Sequence, residues 1–470
     1  MSQIPASLQF FTSSLSGLSR NNVKLQSQSA TSMATNGSTM IRFALPSASI
    51  CDMASFVIGG DTVTTGVASN GGAGNNRVVG LTPSGGLKSM IARTAFSCGG
   101  VSLSNDVNYA DVISRVKDNL ECSISNAYSD KRVMEAYEIQ PINARYPPTT
   151  GGVGQDRKCM ASNLLGFAQC QPRYLDASLI PQLFVSVTLA GRQNIPVQFE
   201  NGTLDAYHAL GTGTTDNASF SNGSAQCEFA VNNVYASIDV ISIGSGLYAN
   251  MLQSLMAERG SVTCCFPSYN SYSNEFGGAA GEVRGALSVS NLHKVYAVHR
   301  LTATATAGQF KGQYFEGQQT WTTQQPPVRM QDNFGILAVQ AAHSFTAIGQ
   351  QYWRWRINNA PFPLWDADPM DAYVAAANGE DRLRKSQPGS LVTSLAGWQG
   401  SQYCVSNRFS LDNDPRKLSG LNLAALSAAI TYNSQGDAST ESTYSRQCIM
   451  ICESTSRLQI APGRAISLTH

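Results

Sequence analysis

Apolar runs in this 470-residue chain are short, and most of them stop on Gly, Asn, Ser or Pro. That feature excludes long buried helices and favours short antiparallel strands joined by turns. Met40, Ile41, Phe43 and Leu45 form one run, stopped by Pro46, and residues 56–58 form another, ended by Gly59-Gly60. Further runs lie at 95–98, 101–103, 184–189, 229–234 and 238–243, several of them spaced about ten residues apart. The second half repeats the texture at 286–289, 295–304, 335–339, 352–357, 405–411 and 449–452. Such a series predicts sandwiches or barrels of antiparallel strands.

Only three stretches carry helical spacing. Tyr109, Val112, Ile113, Val116 and Leu120 share one stripe, with Asp106 or Asn108 as candidate caps. Leu247, Met251, Leu252, Leu255 and Met256 share a second, closed by Gly260. A third opens at Asp368-Pro369 and runs through Tyr373 and Val374 to Gly379. Each half thus pairs a strand set with an internal helix, which suggests duplication of one fold. The expected layout is an N-terminal arm over 1–37, rich in Ser, Thr, Asn and Gln, then units over 38–245 and 246–470. The helix at about 246–259 joins the two units.

Lys plus Arg number 32 and Asp plus Glu 31, a formal charge of +1, so a nucleic-acid binder held by bulk positive charge is not expected. Charged residues are only 13% and apolar residues 42%, which suits a real core and a surface covered by other subunits. Residues 1–20 lack a charged start followed by an apolar block, so a secretory route is not expected. The glycosylation-type triplets at Asn36, Asn201, Asn217 and Asn222 then read as turns. The 11 cysteines include no Cys-x-x-Cys pair and read as reduced core residues rather than zinc ligands.

Catalytic patterns are weak. Gly-x-Ser-x-Gly is absent, and His208, His293, His299, His343 and His470 have no adjacent carboxylate to tune them. Gly71-Gly72-Ala73-Gly74 lacks the lysine of a phosphate-binding loop. Asp366, Asp368 and Asp371 depart from calcium-loop spacing, and Pro369 points instead to a helix start. In Trp353-Arg354-Trp355-Arg356 a strand places both tryptophans on one face. They could stack bases, but the neutral charge balance favours a buried pair. No catalytic, cofactor or metal residue is assigned.

The segment 36–46, Asn-Gly-Ser-Thr-Met-Ile-Arg-Phe-Ala-Leu-Pro, followed by Asp52 and Ser55, resembles the opening strand of double jelly-roll major capsid proteins of polinton-like viruses and virophages, within the tectivirus–adenovirus lineage. Residues 83–93, then Cys98-Gly99-Gly100-Val101 and Tyr109, are similar to the same family's gly-gly-leu and gly-gly-val stretch. Residues 356–363 resemble its asparagine–proline loop, and 409–412 through 419–422 its late serine–glycine segment. The long Gly/Asn/Ser-rich segments near 60–80, 200–225 and 270–285 match nothing in that pattern and are expected to be exterior loops.

The resemblance implies an all-β fold of two tandem eight-stranded antiparallel jelly rolls with a few short helices and long loops. It implies a non-enzymatic protein whose homotrimers tile an icosahedral shell of a double-stranded DNA virus. Its location would be the virion, after synthesis in the host cytoplasm or nucleus. Partners would be neighbouring capsomers and minor capsid and penton proteins, with no strong direct nucleic-acid binding; contact with an internal membrane stays open. The stiff proline-rich turn suggests subunit contacts at Asn358, Asn359, Pro361, Phe362, Pro363 and Trp365. Two other readings stand beside this one. The chain could be a minor capsid or penton-type protein. It could also be a sugar-binding or sugar-cleaving β-sandwich protein using Trp321, Trp353, Trp355 and Trp365.

Overall fold

The computed structural model describes residues 18–34, 40–65, 76–81, 87–88, 91–104, 107–121, 157–189, 197–201, 228–243, 246–277, 280–302, 345, 347, 350–379, 398, 403–411, 418–424, 428–436 and 445–470. In the first half the main strands are β1 (Leu18–Gln26), β2 (Met33–Ala34), β3 (Met40–Ala44), β4 (Ile50–Thr65), β5 (Asn76–Leu81), β6 (Ile91–Cys98), β7 (Val101–Ser102), β8 (Val107–Asn108), β9 (Arg157–Ser162), β10 (Tyr174–Asp176), β11 (Leu183–Leu189), β12 (Val197–Asn201) and β13 (Glu228–Ile243). Helix α1 (Ala110–Glu121) lies between β8 and β9. One sheet has the order β1-β13-β4-β10 and the sheet facing it β3-β11-β6-β7. With the principal strands lettered B to I along the chain, these are the B-I-D-G and C-H-E-F sheets of a jelly roll.

Helix α2 (Gly246–Arg259) connects to a second set: β14 (Val262–Gly277), β15 (Gly281–Leu287), β16 (Leu292–Thr302), β17 (Gln350–Ile357), β18 (Ala360–Ala367), β19 (Val405–Arg408), β20 (Ala428–Gly436), β21 (Ser445–Ala461) and β22 (Ala465–Thr469). Helix α3 (Pro369–Gly379) follows β18. The orders β14-β21-β16-β19 and β15-β20-β17-β18 repeat B-I-D-G and C-H-E-F. The protein is therefore all-β, two antiparallel jelly rolls in tandem.

Local chemistry explains the elements. β11 and β20 alternate buried and half-buried residues, the period of a strand with one face in a core. α2 ends where Gly260 takes φ +73° and donates its N–H to the Met256 carbonyl at 2.9 Å. α3 opens on a reciprocal cap: the Asp371 N–H donates to the Asp368 carboxylate at 2.8 Å, and the Asp368 N–H to the Asp371 carboxylate at 3.1 Å.

Several expectations are corrected. The arm over 1–37 contains β1, paired with β13 from Leu18↔Ile243 to Gln26↔Tyr235. Only its inward face, Val23 and Leu25, meets the core, so its composition looked like that of a tail. The runs at 229–234 and 238–243 belong to one strand, β13. Asn233 at φ 49° and two register shifts bulge it without breaking it. The expected loop over 270–285 is mostly the β14–β15 hairpin. Tyr272 and Phe276 pack against the core there, and the Tyr272 hydroxyl bonds the Ala286 carbonyl at 2.5 Å. The candidate strand at 335–339 lies outside the described residues, as do 66–75 and 202–225 of the other two expected loops.

The rolls share one continuous core. Phe167 of the first roll packs edge-on against Phe266 of the second, centroids 5.0 Å apart. Gln171 and Cys265 exchange both backbone hydrogen bonds across the junction, at 2.7 and 2.8 Å. The Lys117 ammonium of α1 bonds Glu453 of β21 at 3.1 Å, both side chains 14% exposed, and the Tyr296 hydroxyl donates to the same carboxylate at 3.1 Å. Burial works against the charge of Glu453. Lys117 and Lys294, with the hydrogen bonds from Lys117 and Tyr296, outweigh it and hold the carboxyl at about 2 rather than 4.5.

Because the folded carboxyl titrates below the unfolded one, its stabilisation is complete above pH 4.5 and is lost as pH falls toward 2. Glu453→Gln should cost on the order of 3 kcal/mol at neutral pH by stranding Lys117. The gap between variant and parent should narrow through that acid window. Urea unfolding of both proteins at pH 7 and pH 3 checks this, and a gap of equal size at both pH values would rule out the ion pair as its source.

Candidate assembly surface

The suggested contact residues fall on one hairpin, between strands β17 and β18 of the second roll. Asn358 and Asn359, at φ 46° and 71°, form the two-residue turn that positive φ at both centres requires, and Ile357↔Ala360 closes it. The Asn358 side-chain carbonyl accepts from the Ala429 N–H at 3.0 Å, which ties the turn to β20. In such a hairpin the closing pair exchanges both hydrogen bonds, so Pro361, one residue on, turns its nitrogen to the free edge, where no donor is needed.

Phe362 pairs with Trp355, and Ala367 with Trp353. β18 thus takes five steps where β17 takes two, and residues 363–366 are thrown out of the ladder. Leu364 and Trp365 are 82% and 61% exposed as a result, and Phe362 is 37% exposed with its ring edge-on to Phe409. These side chains form an apolar cluster on an edge strand that solvent can reach.

The other candidates are placed elsewhere. Trp353 and Trp355 are buried, at 3% and 0% exposure. The Trp353 indole N–H donates to the Asp368 carbonyl at 2.7 Å, and Trp355 packs on Tyr432 at 4.8 Å. They cannot stack a base or a sugar; Trp321 lies outside the described residues. Asp366 pairs with Arg354, while Asp368 and Asp371 cap α3. His293 is buried, as is His299, which bonds the Tyr432 hydroxyl at 2.9 Å. His470 bonds the Ser456 hydroxyl at 2.8 Å. His208, His343 and residues 71–74 lie outside the described residues.

Asn291 shows why His293 is structural. Its side-chain carbonyl accepts the Gly420 N–H at 2.6 Å, so its amide donates to the His293 Nε2 at 2.8 Å. The ring is then neutral with its proton on Nδ1. Burial, together with Lys294, Arg408 and Lys117, pushes the His293 pKa below its ordinary value against the pull of Glu453.

Sequence reasoning did not find the ion-pair clusters of the B-I-D strands. Asp52, 0% exposed, binds Arg173 through both oxygens and also Arg20. Arg20 continues to Asp239, whose carboxyl is lowered by hydrogen bonds from Asn22 and Arg20 against the cost of burial. The partners are 32 to 219 positions apart, and only strand pairing brings them together.

No protein-family model matches the chain, and no curated protein matches it. Solved structures do match it in shape. The VP54 protein of the virus PBCV-1, fitted into a cryo-EM reconstruction of the virophage Sputnik, is similar at a TM-score of 0.58 and 10% identity, covering 99% of both chains. The Faustovirus major capsid protein gives 0.55 at 11% identity, over 97% of this chain and 92% of that one. The cryo-EM structure of the Sputnik virophage gives 0.52 at 9% identity, over 100% of this chain and 92% of that one. At such identities the likeness is one of fold, and this chain has the double jelly-roll architecture of these capsid structures along nearly its whole length.

Proposed function

We propose that this chain is a non-enzymatic major capsid protein, located in the virion and assembled as a homotrimer that tiles an icosahedral shell of a double-stranded DNA virus. The observation that carries this reading is the pair of complete B-I-D-G and C-H-E-F rolls in one polypeptide, fused through a single core. Three chains supply six similar wedges, and six wedges close a nearly hexagonal block.

The exposed hairpin supports the same reading. Asn358, Asn359, Pro361, Phe362, Pro363 and Trp365 act as subunit contacts, with Phe362 and Trp365 as anchors. On this reading the first unit runs from β1 to about residue 245 and the second from 246 to 470, joined by α2. Neighbouring capsomers, minor capsid proteins and penton proteins are the partners. A formal charge of +1 leaves neutralisation of the genome to another component.

Light scattering on the purified full chain should give three times the 50.1 kDa of one polypeptide. A mass of one chain at micromolar concentration would end the proposal. Phe362→Asp should return the mass to 50.1 kDa with an unchanged circular dichroism spectrum. A variant that stays trimeric removes the hairpin from the interface.

A further inference from the structure

Helix α1 follows strand F of the first roll and α3 follows strand F of the second, so they occupy the same place in two copies of one topology. α1 is wedged between the rolls, and each of its described side chains is buried or half-buried. Its second and sixth residues, Asp111 and Arg115, are 1% and 4% exposed. α3 is covered on one side only. Ala372 and Ala376 are buried, but its second and sixth residues, Met370 and Val374, are each 47% exposed. An apolar pair one turn apart, at the positions its counterpart buries, lacks a cover.

The surface that α1 meets also has a counterpart. In the second roll Tyr269 of β14 lies opposite Glu453 of β21, which lies opposite Lys294, the third residue of β16. In the first roll Asn22 of β1 lies opposite Asp239 of β13, which lies opposite Asp52, the third residue of β4. Asn22 therefore stands where Tyr269 stands, Lys24 where Ser271 stands, and Gln26 where Ser273 stands. The second-roll surface is covered, and β21 is buried without a break over residues 447–452. The first-roll surface is open, with Arg20, Asn22 and Lys24 exposed along β1.

We infer that α3 of one copy covers the β1–β13 face of the next copy, repeating between chains the seat that α1 takes on β14 and β21 within the chain. The occupant is a second copy because the contact continues an interface already present in the fold. Charge agrees with the register. Within the chain the start of α1 meets β14, where the Ser271 hydroxyl donates to the Asn108 carbonyl at 2.9 Å and Tyr109 meets Ser273 at 2.8 Å. Carried over, Ala367 and Asp368 face Lys24 and Gln26, and the acidic start of α3, with Asp366 and Asp371, meets the Lys24 ammonium. A head-to-tail contact of this kind closes into a ring once every roll's helix is covered. This inference rests on the homotrimer reading.

Two experiments test it. In the double variant Met370→Asp, Val374→Asp, the concentration at which trimers half-dissociate should rise at least ~100-fold, while the circular dichroism spectrum stays that of the parent. Both sites are exposed, so folding does not depend on them. In the unaltered chain, carbodiimide treatment should give two- and three-chain species in which a Lys24 peptide is joined to the peptide carrying Asp366 and Asp368. If the parent is trimeric but the double variant dissociates as the parent does, or the cross-linked chains carry no Lys24 link to that peptide, the inference falls while the capsid reading stands. A monomeric parent ends the capsid reading first.

Discussion

Over residues 447–452 strand β21 is buried on both faces, and much of the rest of the structure follows from that. Cys448 to Cys452 are each 0% exposed, so alternate residues point into the second roll and toward the first. A strand of that kind is stable only between two layers. The first roll supplies the second layer with α1 and with the turn that carries Phe167 and Gln171. Neither roll is therefore a bead on a string, and α2 connects units already held together by a shared core. Burial alone would allow the rolls to slide. Lys117 and Glu453 fix their relative position, because a desolvated pair is tolerated only where the Tyr296 hydroxyl and the two partners coincide.

The first roll solves the same register position differently. Asp239 stands where Glu453 stands, and it is bound by Arg20 and Asn22 from its own roll. Arg20 is half-exposed there, so the cluster can remain in water. One topology thus carries a largely covered ion pair in the second roll and a half-exposed one in the first. The same register position holds two differently solvated forms of one ion-pair cluster.

Much of this fold was legible because its physics is local. Period-two burial in β11 and β20, the Asp368-Pro369 start of α3 and the Gly260 stop of α2 need only neighbours in sequence. β1 was missed because an edge strand with one inward face, as at Val23 and Leu25, carries too few apolar residues to stand out. β13 was split in two because Asn233 has the chemistry of a turn, and only its partners on β4 show that it is a bulge. The hairpin of the candidate site could be read from Asn358-Asn359 and its prolines. The exposure of Leu364 and Trp365 could not, since it arises from a five-to-two mismatch between paired strands. Ion pairs between residues as distant as 117 and 453 leave no trace in either segment.

Edges impose the last constraint. Among the described residues each jelly roll ends its sheets on edge strands, and such strands invite indefinite pairing with other chains. β18 is guarded on its outer side by Pro361, which offers no donor, and by the bulge over 363–366, which removes the ladder altogether. What it presents instead is side chain: Phe362, Leu364 and Trp365. Backbone pairing is indifferent to sequence and has no fixed stopping point, whereas burial of particular rings in particular recesses does. On the proposed capsid reading, a block that must meet copies of itself at a set angle, and then stop, needs edges of the second kind. With charged residues at only 13% of the chain, shape and apolar contact would carry that specificity more than long-range attraction.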